Sequence, residues 1–274
     1  MDDGVALGPV PGATRGLVLV SNPRVNQRWD FELVARHVHD LAPDVQTAVV
    51  EDGPVRAATF PPAFDLPTMT FSPGPLRRFW PPRGPVFHGV SLPKSREYRA
   101  LEQAGVPVPR WSVVTRDATP DLDGFGPYVV MKPDWSGRGA DVRIVRRGRV
   151  RWRPPTTEYT RAVSGREPDW IVQEFVYTGT RPVSYRVATL FGEPIWAWAV
   201  SAAERLPELH HRYGFGAGGM SIVASGKGCV FRLIDDPDIL ALASAAHQAF
   251  PAIPLLGVDV LRDLETGRLY VIEV

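Results

Sequence analysis

Apolar residues along this chain fall into two rhythms: short runs bounded by turn residues, and a few stretches at helical spacing. Gly16–Val20 (GLVLV) and Val45–Glu51 (VQTAVVE) predict strands, and between them Phe31, Leu33, Val34, Val38 and Leu41 recur at helical spacing. Asp30 is the expected N-cap of that helix. Strand, helix and strand in this order predict a small open α/β domain, behind a loose tail that ends near Thr14. From Pro54 to Pro93 the chain is crowded with proline, with apolar islands at Thr68–Phe71 and Val86–His88 that predict short strands. A domain boundary is expected near residue 90. SLPKSREYRALEQAGVPVP then predicts a helix capped by Ser91, with Pro93 in the first turn and Gly105 closing it.

Strands are predicted over Trp111–Thr115, Tyr128–Pro133, Val142–Val145, Val150–Arg153 and Trp170–Phe175, with a helix over Thr157–Ser164. SYRVATLFGEPIWAWAVS predicts a hairpin turning at Gly192-Glu193, with Arg186 on one face. His210–Gly219 (HHRYGFGAGG) is a glycine-rich loop. A helix capped by Asp235 or Asp236, with Pro237 in its first turn, leads into the last twenty residues. No internal repeat is present.

Those last residues, LLGVDVLRDLETGRLYVIEV, predict a hairpin turning at Glu265-Thr266-Gly267. Centred on Thr266, it pairs Leu264 with Arg268 and sets Asp259 opposite Glu273. Leu255, Gly257 and Leu261 flank the pair on one face and Leu256, Val258 and Val260 line the other, a pattern expected of strands buried on both sides. Two carboxylates opposed on such a sheet repel by roughly 0.2–1 kcal/mol, and desolvating them costs more. A hard cation with oxygen ligands, Mg²⁺ or Mn²⁺, resolves this; a solvated strand end or an arginine partner is the alternative.

Composition narrows the classes. At 274 residues, with 44% hydrophobic and 22% charged residues, the chain has the makings of a soluble globular protein with ample core. A net charge of +1 gives no bulk attraction to nucleic acid or a membrane surface. No apolar run is long enough to span a bilayer and the N-terminus is no signal peptide, so a cytoplasmic protein is expected. Cys229 is the lone cysteine, which excludes an internal disulfide, and a buried inert thiol is expected there. The basic residues are 28 arginines and three lysines, Lys94, Lys132 and Lys227. Arginine cannot replace lysine where a compact point charge meets a phosphate oxygen in a tight site. Lys132 ends an apolar strand, where a lysine is rare, and a loop with two glycines follows it, letting backbone N–H groups approach phosphate.

Together these blocks resemble the ATP-grasp superfamily, in the branch of the glutathione synthetases and the ribosomal-protein glutamate ligases. The resemblance covers roughly residues 91–274. It implies an ATP-grasp fold of α/β class, with α+β subdomains over 91–174 and 175–274, behind a small open α/β domain over 1–90. Lys94 and Lys132 match the two nucleotide lysines. Ser136, Gly137, Arg138 and Gly139 match the loop that covers the phosphates. Gln173, Glu174, Phe175 and Val176 match the linker whose backbone reads adenine. Arg186 matches the strand arginine near the reacting phosphoryl group, and Asp259 and Glu273 match two of three magnesium ligands.

The implied activity is an ATP-dependent carboxylate–amine ligase working through an acylphosphate, with ATP and Mg²⁺ (or Mn²⁺) as cofactors. The implied partners are amino-acid or peptide carboxylates and amines, with homo-oligomerisation left open. Departures from the family pattern keep two alternatives in view, an ATP-binding pseudoenzyme and a phosphotransferase without ligation. Ser184 stands where the family has a ribose-binding carboxylate. HHRYGFGAGG replaces the substrate loop, where Arg212 is either a carboxylate ligand or a solvated side chain; His210 and His211 are expected to be loop residues. The family's strand carries an asparagine two residues beyond the matching glutamate. The chain stops at Val274, so the expectation is a fragment or a weakly active form.

Overall fold

The computed structural model describes residues 10–23, 26–53, 62–137, 139–164, 168–205 and 228–274. Arg138, His210, His211, Arg212, Lys227 and the N-terminal tail to residue 9 lie outside them. The chain divides into two compact units, Met1–Ser91 with Ala252–Leu255, and Leu92–Pro251 with Leu256–Val274.

The first unit is built on β1 (Arg15–Ser21), α1 (Arg28–Leu41), β2 (Val45–Glu51), β3 (Thr68–Ser72) and β4 (Val86–His88). The strands form a parallel sheet in the order β2-β1-β3-β4. Alternation along β1 sends Leu19 to Phe31 and Ala35 of α1, while Val18 and Val20 join Phe64, Leu76 and Phe79 on the opposite face. Burial of both faces is what makes these strands read as continuous apolar runs. Asp30 does not cap α1: Gln27 holds the cap position and Asp30 sits in the first turn, beside the partial positive charge of the helix start.

The second unit carries two antiparallel sheets. One contains β5 (Trp111–Val114), β6 (Tyr128–Pro133), β7 (Arg143–Arg146) and β8 (Trp170–Glu174), in the order β5-β8-β6-β7. The other contains β9 (Val183–Leu190), β10 (Glu193–Ala202), β11 (Cys229–Leu233), β12 (Leu255–Arg262) and β13 (Leu269–Glu273), in the order β11-β10-β9-β12-β13. The helices of this unit are α2 (Lys94–Gln103), α3 (Glu158–Ser164) and α4 (Pro237–Gln248). On the first sheet Val129, Met131, Val172 and Trp170 close a core with Val114, Leu122, Phe125 and Val150. On the second, α4 lies against β9, β10 and β13, and Thr189 Oγ1 meets the buried ring of His247 at 2.6 Å. Asp236 caps α4, accepting from the N–H groups of Asp238 and Ile239, with Pro237 at the first helical position.

Several expectations are corrected. Val150–Arg153 is not a strand: Val150 and Trp152 turn onto the core, and that alternation mimicked a ladder. The β9–β10 turn falls on Phe191-Gly192, both at positive φ, one residue earlier than expected, because Glu193 pairs with Leu190. Cys229 is half-buried rather than buried. The terminal hairpin pairs Arg262 with Leu269 and Leu261 with Tyr270, one step away from the expected register. The cause is Asp263, whose carboxylate accepts from the N–H groups of Glu265 (2.9 Å) and Thr266 (2.8 Å) and lengthens the loop by one residue. Residues 255–262 also alternate between half-buried and buried, so only the face carrying Leu256, Val258 and Val260 is core.

Candidate active site

A bulge on β13 builds the centre of the site. Asp259 pairs with Glu273 while Val260 pairs with Val271, so Ile272 is the extra residue. The bulge cancels the longer turn and restores the opposition of the two carboxylates. It also frees the Ile272 carbonyl from the ladder, and that oxygen accepts from Lys132 Nζ at 2.8 Å and lies 2.9 Å from the Tyr98 hydroxyl. Lys132 is 5% exposed, and its ammonium also donates to the Tyr98 hydroxyl at 2.6 Å. A phenol has one proton, so Tyr98 gives it to Ile272 O or to Gln173 Oε1 at 2.5 Å while accepting from Lys132. Burial pushes Lys132 down to about 8, with Glu273 pulling it back up, and pushes the Tyr98 hydroxyl well above its ordinary value.

The second lysine arrives on α2. Ser91 does not cap this helix: Pro93 occupies the cap position, and Asp134, from the loop after β6, supplies the missing acceptor. Its carboxylate takes the Ser95 N–H at 2.7 Å and the Ser95 hydroxyl at 2.9 Å, and its backbone carbonyl takes the Lys94 N–H at 3.0 Å. Lys94, 4% exposed, is thereby held with Nζ 2.5 Å from Ser136 O and 3.4 Å from Glu273 Oε1. Glu97 and Tyr98 share the buried face of α2 with Lys94, at the three- and four-residue spacing of one helix side. Burial, opposed by Lys94, pushes Glu97 up to about 7, and its Oε2 has no hydrogen-bond partner among the described residues.

The third cation comes from β9. Arg186 Nε lies 3.6 Å from Asp259 Oδ1, and its guanidinium crosses Gly257, where a Cβ would sit 3.0 Å from Nη2. Burial, opposed by Arg186 and reinforced by Glu273, pushes Asp259 up to about 6. Asp259 and Glu273 thus each have a cationic neighbour, yet both stay partly open to solvent and present only oxygen donors. That set suits a hard cation that completes its shell with water or phosphate oxygens. No cluster of three or more metal-ligating side chains occurs among the described residues.

The remaining predicted residues surround this centre. Just after Gly139, Asp141 is buried and accepts from the N–H and hydroxyl groups of Thr156 and Thr157. Burial pushes Asp141 up, but those hydrogen bonds outweigh it and hold the carboxyl well below the ordinary range. Ser136 Oγ donates to Pro133 O, and a Cβ on Gly137 would lie 3.0 Å from the Tyr159 hydroxyl. Gln173 and Glu174 end β8, and Phe175 and Val176 follow it, with Val176 buried. The Glu174 N–H bonds Arg110 O at 2.7 Å. Ser184 pairs with Val200 and lies half-buried two residues before Arg186.

Sequence reasoning missed Glu97, Tyr98, Asp134 and Asp141. Helical spacing from Lys94 would have marked the first two; the aspartates act on residues distant in sequence and leave no local pattern.

No protein-family model matches the chain, and neither does any curated protein. Solved structures do. The D-cycloserine synthetase DcsG matches with a TM-score of 0.58 at 17% identity, over 94% of this chain and 90% of that one. The ATP-grasp ligase PsnB in complex with a minimal precursor matches with a TM-score of 0.57 at 14% identity, over 94% and 89%. The D-alanine–D-alanine ligase of Bacillus anthracis complexed with ATP matches with a TM-score of 0.52 at 11% identity, over 95% and 85%. With the sheets described above, these similarities identify the chain as having the ATP-grasp fold.

Proposed function

We propose that the protein is an ATP-dependent carboxylate–amine ligase that works through an acylphosphate. The observation that carries this reading is the convergence of Lys94, Lys132 and Arg186 on the facing pair Asp259 and Glu273. A buried lysine is costly unless an anion meets it, and here the hydrogen-bond partners of the Lys132 ammonium are a phenol oxygen and a bulge carbonyl, weak counterparts to a full charge. A triphosphate supplies the missing negative charge.

In the reaction, a substrate carboxylate oxygen attacks the γ-phosphorus of ATP and the bond to the β–γ bridging oxygen breaks, releasing ADP. An amine nitrogen then attacks the acyl carbon, and the carbon–oxygen bond to phosphate breaks. Lys94 and Lys132 are assigned to the phosphate oxygens, where they offset charge that grows during in-line transfer. Arg186 is assigned to the transferring phosphoryl group, which its planar fork fits better than a point charge would. Asp259 and Glu273 would hold Mg²⁺, which neutralises phosphate charge when bound. Ser136 to Gly139 are assigned to covering the phosphates and excluding water, and Gln173 to Val176 to the adenine, with Ser184 facing the ribose.

Purified protein with Mg·ATP and pooled amino acids and dipeptides tests the reading: ADP release should depend on the pool, and mass analysis should find a new amide. ADP release without an amide would favour a phosphotransferase, and tight ATP binding without ADP release a sensor.

A further inference from the structure

The face of the second sheet that carries Arg186 changes character abruptly from one strand to the next. On β12, next to β9, that face offers Asp259. On β10, the other neighbour of β9, the residue directly opposite Arg186 is Trp198. Residues opposed across antiparallel strands share a face, so Trp198, Trp196 opposite Ala188, and Val200 opposite Ser184 all stand on the Arg186 side. On β11, Phe231 opposes Val200 and Leu233 opposes Trp198, continuing the same face outward. The Trp196 and Trp198 rings lie 4.4 Å apart between centroids, and Phe231 meets Trp198 edge-on at 5.9 Å. Trp196 is 38% exposed, Phe231 47% and Leu233 72%, although each is large and apolar. The one charged side chain on this face of β10 and β11 is Glu193, opposite Leu190 at the hairpin end, beyond the two indoles.

We infer that this aromatic face is the side-chain pocket of the carboxylate substrate, and that the substrate carries an aromatic or branched aliphatic group beside the reacting carboxylate. The inference rests on the ligase reading for the identity of the reacting group. Neighbouring strands are about 4.8 Å apart, so Trp198 begins one strand away from the guanidinium assigned to the phosphoryl group. A carboxylate reacting beside Arg186 must send its substituent away from the acidic β12 side, and the adjacent surface in the opposite direction is apolar. Tryptophan and phenylalanine give large contact area at little entropic cost, and two indoles in contact at this spacing form one continuous apolar surface on which a ring or an aliphatic branch can lie. A polar or charged substituent would lose water there without gaining a partner.

Calorimetric titration of the dipeptides Leu-Phe and Ser-Asn into the protein with Mg·ADP tests the inference without requiring turnover. Leu-Phe should bind at least tenfold tighter than Ser-Asn, with a negative heat-capacity change from apolar burial. Trp198→Ala and, as a milder change at an exposed edge position, Phe231→Ser should each remove most of that difference. Equal affinities, tighter binding of Ser-Asn, no binding of either, or a preference unaltered in both variants would overturn it. A change of oligomeric state in Phe231→Ser with dipeptide affinity unaltered would make the face a contact between copies, and would overturn it too. Leu-Phe binding that the variants abolish, without ADP release in the intact protein with ATP, would leave the pocket standing while the ligase reading falls.

Discussion

Replacing Glu97 with glutamine should stabilise the protein at pH 8 and lose that advantage at pH 4. Glu97 is 7% exposed, and its Oε2 is without a hydrogen-bond partner among the described residues. Burial raises its pKa from 4.5 to about 7 despite Lys94 and Lys132 nearby. Between those two values the folded state holds a proton that the unfolded chain has released, so stability falls as pH rises through the window. At roughly 1.4 kcal/mol per unit, ionised Glu97 costs about 3 kcal/mol at pH 8. Glutamine keeps an acceptor for the Val274 N–H but buries an amide group in place of Oε2, which takes back about 1–2 kcal/mol. The net gain expected at pH 8 is about 1–2 kcal/mol, shrinking to zero or turning negative below pH 5. Urea unfolding of both proteins at pH 4, 6 and 8 measures it. A glutamine variant that is less stable at pH 8, or whose advantage ignores pH, refutes the reasoning.

Burial pushes Lys132 down to about 8, so ATP affinity should fall up to about tenfold per pH unit above that value. Lys132→Met should bind ATP at least about tenfold more weakly, with a flat profile; calorimetry from pH 7 to 9.5 distinguishes the two. Arg186→Lys should lower kcat far more than it raises the KM for ATP, since a point charge cannot reproduce the guanidinium fork; steady-state kinetics shows the split. Gly257→Ala should displace that same guanidinium, because the new methyl carbon would lie 3.0 Å from Nη2; kcat should fall while the thermal transition barely moves. Asp134→Ala removes the acceptor at the start of α2, costing about 1 kcal/mol of stability, and should raise the KM for ATP by loosening Lys94.

The sequence made legible whatever depends on local rhythm. Val45–Glu51 and Tyr128–Pro133 are strands with the expected ends, and Asp236 with Pro237 starts α4 as capping chemistry requires. The rarity of lysine marked Lys94 and Lys132, both of which are buried. What stayed hidden depends on contacts between distant segments. Asp134 caps α2 from across 39 residues, so Ser91 looked like the better local choice. The opposition of Asp259 and Glu273 was expected from a simple hairpin, yet it arises from two departures that cancel, a longer Asp263 turn and a bulge at Ile272. Only the folded chain reveals the bulge, and with it the carbonyl that receives Lys132.

The most direct test of the ligase account follows oxygen. A mixture of L-amino acids and dipeptides with ¹⁸O-labelled carboxylates, incubated with the protein, Mg²⁺ and unlabelled ATP in ordinary water, should yield phosphate carrying one ¹⁸O atom. That label can reach phosphate only if the carboxylate oxygen attacked phosphorus and stayed with it when the acyl carbon–oxygen bond broke, and displacement by an amine shows as an amide that has lost one label. Phosphate released without ¹⁸O, in step with ADP, would mean that water is the acceptor, and would contradict the account.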